Sequence, residues 1–165
     1  MRALHGLMLA LSITSIATAT AAPCEAPEFR QFDFWIGEWQ VMKPDGPLAG
    51  TNSIRREYGG CVLHERYQTP KGYTGESLNT YDPGRQRWHQ TWVDVSGTLL
   101  LLDGGLQGRD MVLEGSTTDA KGAVTRHRIT WTPNPDGTVR QHWQSTDAAG
   151  AWVTAFDGLY RRAGQ

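Results

Sequence analysis

Residues 61–95 read CVLHERYQTPKGYTGESLNTYDPGRQRWHQTWVDV, and the fold follows from how they alternate. Three runs of period two, 61–69, 73–81 and 86–95, are separated by Pro70-Lys71-Gly72 and Asp82-Pro83-Gly84. Side chains of a strand point alternately to its two faces, and short Pro, Gly and Asp connections reverse the chain between antiparallel neighbours. If Thr69 lies beside Tyr73, Glu65 stands opposite Ser77 and Tyr67 opposite Gly75. Through the next turn Tyr81 stands opposite Trp88, Asn79 opposite Gln90 and Ser77 opposite Trp92. One face then collects Leu63, Glu65, Tyr67, Ser77, Asn79, Tyr81, Trp88, Gln90, Trp92 and Asp94. The other collects His64, Arg66, Gln68, Glu76, Thr80, Arg87, His89 and Thr91. A slip of one residue would exchange the two sets. The charged set is expected to face water and the aromatic set the interior.

The same grammar extends in both directions. Strands are expected at 36–43 and 51–58 upstream, and at 98–106, 110–117, 123–132, 138–146 and 151–162 downstream. A two-residue Gly59-Gly60 turn places Tyr58 opposite Cys61, Arg56 opposite Leu63 and Ile54 opposite Glu65, so Ile54 and Arg56 join the inward face. Near the C-terminus, Trp131 opposite Val139 turns His127, Ile129, Gln141 and Trp143 inward. Trp152, Thr154, Phe156 and Tyr160 follow on that side after the Asp147–Gly150 turn. Only Glu28–Phe34 suits a helical turn. About ten short strands joined by hairpins make an all-β chain, and closure into a single up-and-down antiparallel barrel removes the exposed edges. A β-sandwich is the alternative.

The N-terminal residues carry a different message. Arg2 precedes an apolar or small stretch from Leu7 to Ala19, and Ala19-Thr20-Ala21 is a small-x-small cleavage signal. Residues 1–21 read as a secretory signal peptide, too short in its apolar core to remain as a membrane span. Residues 22–165 are then one domain, destined for the periplasm or the medium. In that oxidising setting Cys24 and Cys61, the two cysteines, are expected to pair. The bridge would close a loop of about 36 residues, worth about 3–4 kcal/mol. Pro23 before Cys24 argues against a lipoprotein, and no CxxC or Cys/His cluster suggests a metal. A formal net charge of −1 gives no footprint for nucleic acid and no basic patch for a membrane surface.

The inward face is not a plain aliphatic core. It mixes Trp and Tyr with Arg56, Glu65, Asn79, Gln90, Asp94, His127 and Gln141, and buried polar groups need partners. Aromatic walls with a few placed polar groups are the composition of a small-molecule pocket. The expected partner is a small amphipathic or aromatic molecule, stacked on Trp88, Trp92, Trp143 and Tyr67 and oriented by Arg56, Glu65, Asn79, Gln90, Asp94 and Gln141. The competing possibility is a polar network that satisfies itself inside a filled barrel, with Arg56 paired to Glu65 or Asp94. An enzyme using Glu65 or Asp94 with His127, or haem and nitric-oxide binding through His127, are further alternatives. No HExxH, GxSxG, P-loop or GxGxxG motif is present, so no catalytic residue, metal or cofactor is assigned.

Phe32-Asp33-Phe34-Trp35-Ile36-Gly37-Glu38-Trp39 resembles the start of a family of bacterial proteins of uncharacterised function, the DUF1579-like proteins. The resemblance continues through Gly75-x-Ser77-Leu78-Asn79-x-Tyr81-Asp82, Trp88-x-Gln90-x-Trp92-Val93-Asp94, Thr130-Trp131-Thr132-Pro133 and Phe156-Asp157-Gly158-x-Tyr160. Gly37-x-Trp39 is also similar to the first-strand signature of lipocalins and related calycins. There an arginine of the last strand lies over the tryptophan, a part that Arg161 or Arg162 would take here. The resemblance implies a calycin-like barrel. Ten strands instead of eight place it nearer the fatty-acid-binding and nitrobindin-like barrels, and activity stays open.

Overall fold

The computed structural model describes residues 23–164; the expected signal peptide, 1–21, lies outside them. Ten strands follow two short 3-10 turns, Pro27–Arg30 and Asp33–Trp35. They are β1 (Gly37–Met42), β2 (Leu48–Glu57), β3 (Val62–Gln68), β4 (Thr74–Asp82), β5 (Arg87–Asp94), β6 (Leu99–Gln107), β7 (Asp110–Thr118), β8 (Val124–Pro133), β9 (Val139–Thr146) and β10 (Trp152–Arg162). Each pairs antiparallel with its neighbours in sequence, and β1 pairs with β10 to close the barrel. The closed ring excludes the sandwich.

The registers expected for residues 61–95 are the observed ones: Glu65 pairs with Ser77, Tyr67 with Gly75, Ser77 with Trp92, Asn79 with Gln90 and Tyr81 with Trp88. Ile54 pairs with Glu65 and Arg56 with Leu63. Three details differ. Tyr58–Gly60 forms a 3-10 turn, with Tyr58 and Gly59 at positive φ, so β2–β3 pairing stops at Glu57 and Val62 and Tyr58 does not oppose Cys61. Trp131 pairs with Gln141 instead of Val139. The β8–β9 turn lies one residue later than expected, running from Asn134 to Thr138, which lets Pro133 pair with Val139. That shift of two keeps the parity and the faces.

The third difference is larger. A bulge in β10 between Thr154 and Phe156 reverses the alternation. Phe156 and Tyr160 point inward, as expected, but Trp152 and Thr154 point out. Trp152 lies under the guanidinium groups of Arg126 and Arg128, at 5.3 and 4.7 Å, and the Thr154 hydroxyl meets His142 Nε2 at 3.0 Å.

The N-terminal segment closes one end of the barrel. Phe32 and Trp35 are fully buried; Phe32 stacks on Trp35 at 4.9 Å and meets Trp88 and Trp131 edge-on at 5.7 and 5.1 Å. The segment is anchored outside by the Cys24–Cys61 disulfide, Cα to Cα 5.0 Å, and by Arg30, which donates to the carbonyls of Cys24 and Gly60 at 2.7 Å.

Candidate functional site

Above this plug the barrel interior divides into a polar wall and an apolar wall. Alternation along β2, β3, β4 and β5 turns Asn52, Glu65, Ser77, Asn79 and Gln90 toward the lumen, and the register lines them up across neighbouring strands. A chain of hydrogen bonds joins them. Tyr160 donates to Gln141 Oε1, Asn52 Nδ2 donates to the Tyr160 oxygen at 3.2 Å and to Glu65 Oε1 at 2.7 Å, and Ser77 donates to Glu65 Oε2 at 2.6 Å. Asn79 Nδ2 donates to Ser77 at 2.8 Å and to the Leu63 carbonyl at 3.1 Å, while Gln90 Nε2 donates to Asn79 Oδ1 at 2.7 Å. Leu100, Ile129, Trp143 and Phe156 face this belt.

Between the walls is a cavity of about 240 Å³, lined by Glu65, Tyr67, Thr69, Tyr73, Gln90, Trp92, Leu100, Ile129, Gln141, Trp143, Ala155, Phe156 and Tyr160. Glu65 is 3% exposed and has no cationic partner on the lumenal side. Burial pushes its carboxyl up, against the hydrogen bonds from Ser77 and Asn52, to about 7. Burial, reinforced by the nearby Glu65, also raises the phenols of Tyr160 and Tyr67.

Gly75 explains one wall. A Cβ at Gly75 would fall on the Trp92 indole, so only glycine lets that ring lie flat over β4. Its Nε1 then donates to Asp94 Oδ2 at 3.1 Å. Tyr73 donates to the same oxygen at 2.8 Å, and the backbone amides of Ser96 and Thr98 donate to Oδ1 at 2.8 and 3.2 Å. Burial raises the Asp94 carboxyl, but these bonds together outweigh it and pull it to about 2. Asp94 is therefore an ionised brace behind Trp92 and Tyr73.

Of the side chains singled out from sequence, the structure brings Glu65, Tyr67, Gln90, Trp92, Gln141 and Trp143 to the cavity wall. The other five lie elsewhere. Trp88 is 1% exposed in the plug, donating to Gln31 Oε1 at 3.1 Å. Arg56 pairs with Asp33 of the N-terminal segment, and with neither Glu65 nor Asp94. Asn79 lies inside the polar belt, and Asp94 is one side chain behind the wall. His127 sits behind Trp143, whose Nε1 donates to its Nδ1 at 3.2 Å. The indole can only donate, so the neutral ring carries its proton on Nε2, which faces Thr117 Oγ1 at 2.9 Å. Burial also lowers its basicity. Both ring nitrogens are thus engaged, and no histidine lines the cavity.

Sequence reasoning overlooked Asn52, Tyr73, Leu100 and Ala155. Asn52 was recoverable, being two residues before inward Ile54. Ala155 enters only through the bulge, which no local signal announced. A broader groove of about 710 Å³ runs along β1–β5, lined by inward Trp39, Asn52 and Tyr67 as well as outward Glu38, Arg66 and Glu76. Charged side chains of its lining pair with residues beyond it, Glu38 with Arg55 at 3.1 Å, Arg66 with Glu57 at 3.0 Å and Glu76 with His64 at 2.8 Å. Among the described residues no group of three or more His, Cys, Asp or Glu could hold a metal ion.

A closed up-and-down barrel whose Gly37-x-Trp39 strand is covered by an arginine of the last strand is a calycin-like β-barrel. The arginine is Arg162, 4.1 Å over the Trp39 ring. Within that class the chain belongs to the family described as "Protein of unknown function (DUF1579)", whose model matches residues 28–162. No curated protein matches the chain.

Proposed function

We propose that the protein is an exported, non-catalytic binding protein whose lumen holds a small amphipathic or aromatic molecule. The observation that carries this is the composition of the internal cavity. Six aromatic rings, Tyr67, Tyr73, Trp92, Trp143, Phe156 and Tyr160, surround one edge of a hydrogen-bonded polar belt. A core needed only for stability gains nothing from lining a cavity, because unfilled volume forfeits packing energy. A dry cavity of about 150 Å³ accepts benzene, so about 240 Å³ suits a molecule of about ten non-hydrogen atoms. The Cys24–Cys61 bridge supports the export reading of residues 1–21.

Trp92 and Trp143 are natural reporters, since the remaining tryptophans lie at the plug, at the β1–β10 seam for Trp39, or on the outer surface for Trp152. Titration of a panel of small aromatic and amphipathic compounds should change their fluorescence, and Trp92→Phe with Trp143→Phe should abolish most of that change. Silence across the panel would refute the proposal.

A further inference from the structure

We propose, on the footing of the lumenal binding above, that the ligand is an organic cation. It would be a protonated amine on an aromatic or short alkyl body, with its ammonium group held by the Glu65 carboxylate and the body stacked among the surrounding rings.

The charge inventory of the cavity leads there. Its lining contains one acid, Glu65, and no lysine, arginine or histidine. The inward guanidinium that might have countered it, Arg56, is committed to Asp33 beside the plug. The rings present negative faces that attract cations and repel anions. An anionic ligand would therefore meet a like charge with no counter-ion, whereas an ammonium meets an opposite charge among aromatic rings.

Hydrogen-bond stoichiometry points the same way. Each Glu65 oxygen accepts one bond, from Asn52 or Ser77, and a carboxylate retains lone pairs for more. Gln141 Oε1 is a second lumenal acceptor, already receiving Tyr160. Asn52 Oδ1, buried without a partner, is a further acceptor in the belt. An ammonium group supplies three donors and no acceptor. It also supplies the opposite charge whose absence makes a buried carboxylate costly.

Binding then follows one equilibrium. The carboxylic acid form of Glu65 gives its proton to solvent, and the carboxylate and ammonium pair inside the lumen. The empty site's carboxyl stands at about 7, so amine affinity should fall with acidification. Of the groups around Glu65, His64 contributes a charge that favours the carboxylate, more weakly than the Ser77 and Asn52 bonds do. Asn52 and Ile54 of β2 and Ser77 of β4 are neutral. The phenols of Tyr67 and of β10's Tyr160 are held above their usual range, and Asp94 beyond Trp92 stays ionised at about 2. His127 lies behind Trp143 and is shifted down by burial. His64 occupies the outer face of β3, between Glu57 and Glu76.

The test compares phenylpropylamine, phenylpropanol and phenylpropanoate, matched in size, on the disulfide-bonded protein by calorimetry and tryptophan fluorescence. The amine should bind at least tenfold tighter than the alcohol, with the carboxylate weakest. Between about pH 8 and pH 6 the amine's affinity should drop about tenfold, following the ionised fraction of Glu65. Glu65→Gln should remove both the preference and the pH slope. Equal or tighter binding of the alcohol or carboxylate, or a pH-independent amine affinity, would overturn the cation while leaving the lumenal site intact. Silence from all three would overturn both. The pH profile uses the unaltered chain, so it decides the matter even if Glu65→Gln does not fold.

Discussion

Glu65 is a carboxyl group with two neutral hydrogen-bond donors and no cation beside it, and its proton is held in the folded state to about pH 7 against an ordinary value of 4.5. Between those two values the folded protein keeps a proton that the unfolded chain has lost. Stability therefore falls as pH rises through that window, by about 3 kcal/mol in all, and levels off on either side. Glu65→Gln should remove the fall. Glutamine, like the protonated acid, offers one carbonyl acceptor and a donor that the Ser77 hydroxyl can accept, so the variant should match the natural protein within about 1 kcal/mol at pH 5. By pH 8 it should be the more stable protein by at least about 2 kcal/mol. Urea unfolding at the two pH values checks the divergence; parallel curves would show that the carboxyl is ordinary. Gly75 makes a second case at this scale. Gly75→Ala drives a methyl into the Trp92 ring, with an expected cost of about 1–3 kcal/mol and a perturbed lumen. A changed Trp92 emission together with weakened probe binding is the expected signature.

Elements were legible where turns are short and unambiguous. The strand pairs through residues 61–95 follow from two Pro-Gly turns, because a fixed turn leaves one register and a register leaves one pair of faces. The same logic failed at Trp152 because a bulge adds a residue without changing composition, so the pattern before it and after it read alike. The plug was illegible for another reason. Phe29, Phe32, Phe34 and Trp35 are visible as a cluster of aromatics, but they have no strand period that would say where they pack. Three-dimensional closure sends them into the barrel end, and with them go Trp88 and Arg56, which the sequence alone had placed at the ligand. Within the candidate site, then, faces were readable and height along the barrel was not. The plug's contribution is open to measurement. Phe32→Ala empties a position surrounded by Trp35, Trp88 and Trp131 and should cost about 3–5 kcal/mol. Replacing both Cys24 and Cys61 by serine should cost about 3–4 kcal/mol. If the disulfide chiefly holds the plug, the two changes combined will fall short of their sum, which a double-mutant cycle in denaturant reads directly.

At the scale of the whole molecule the decisive contact is the one that turns a sheet into a barrel. β1 and β10 lie at opposite ends of the described chain, and their pairing of Trp39 with Arg162 removes the last two free edges. Arg162 fastens that seam twice: its guanidinium covers Trp39, and its Nη1 donates to the Ile36 carbonyl at 2.7 Å. The seam also accounts for Gly37, where any Cβ would fall on the same guanidinium. Arg161, next along the strand, is exposed and pairs across with Gln40, so adjacent arginines of one sequence have opposite duties. Arg162→Ala should destabilise by about 2–3 kcal/mol, combining a cation–π contact with a charge-assisted hydrogen bond. Arg161→Ala should change stability by less than about 0.5 kcal/mol. Arg162→Lys should recover only part of the loss, because an ammonium cannot stack flat on the indole while donating sideways to Ile36. Since so distant a pairing is costly to form early, the loss in Arg162→Ala should appear mainly as faster unfolding, with the folding arm of the chevron little moved. Equal losses at the two arginines, or a slowed folding arm, would mean that the seam is not what holds the ring shut.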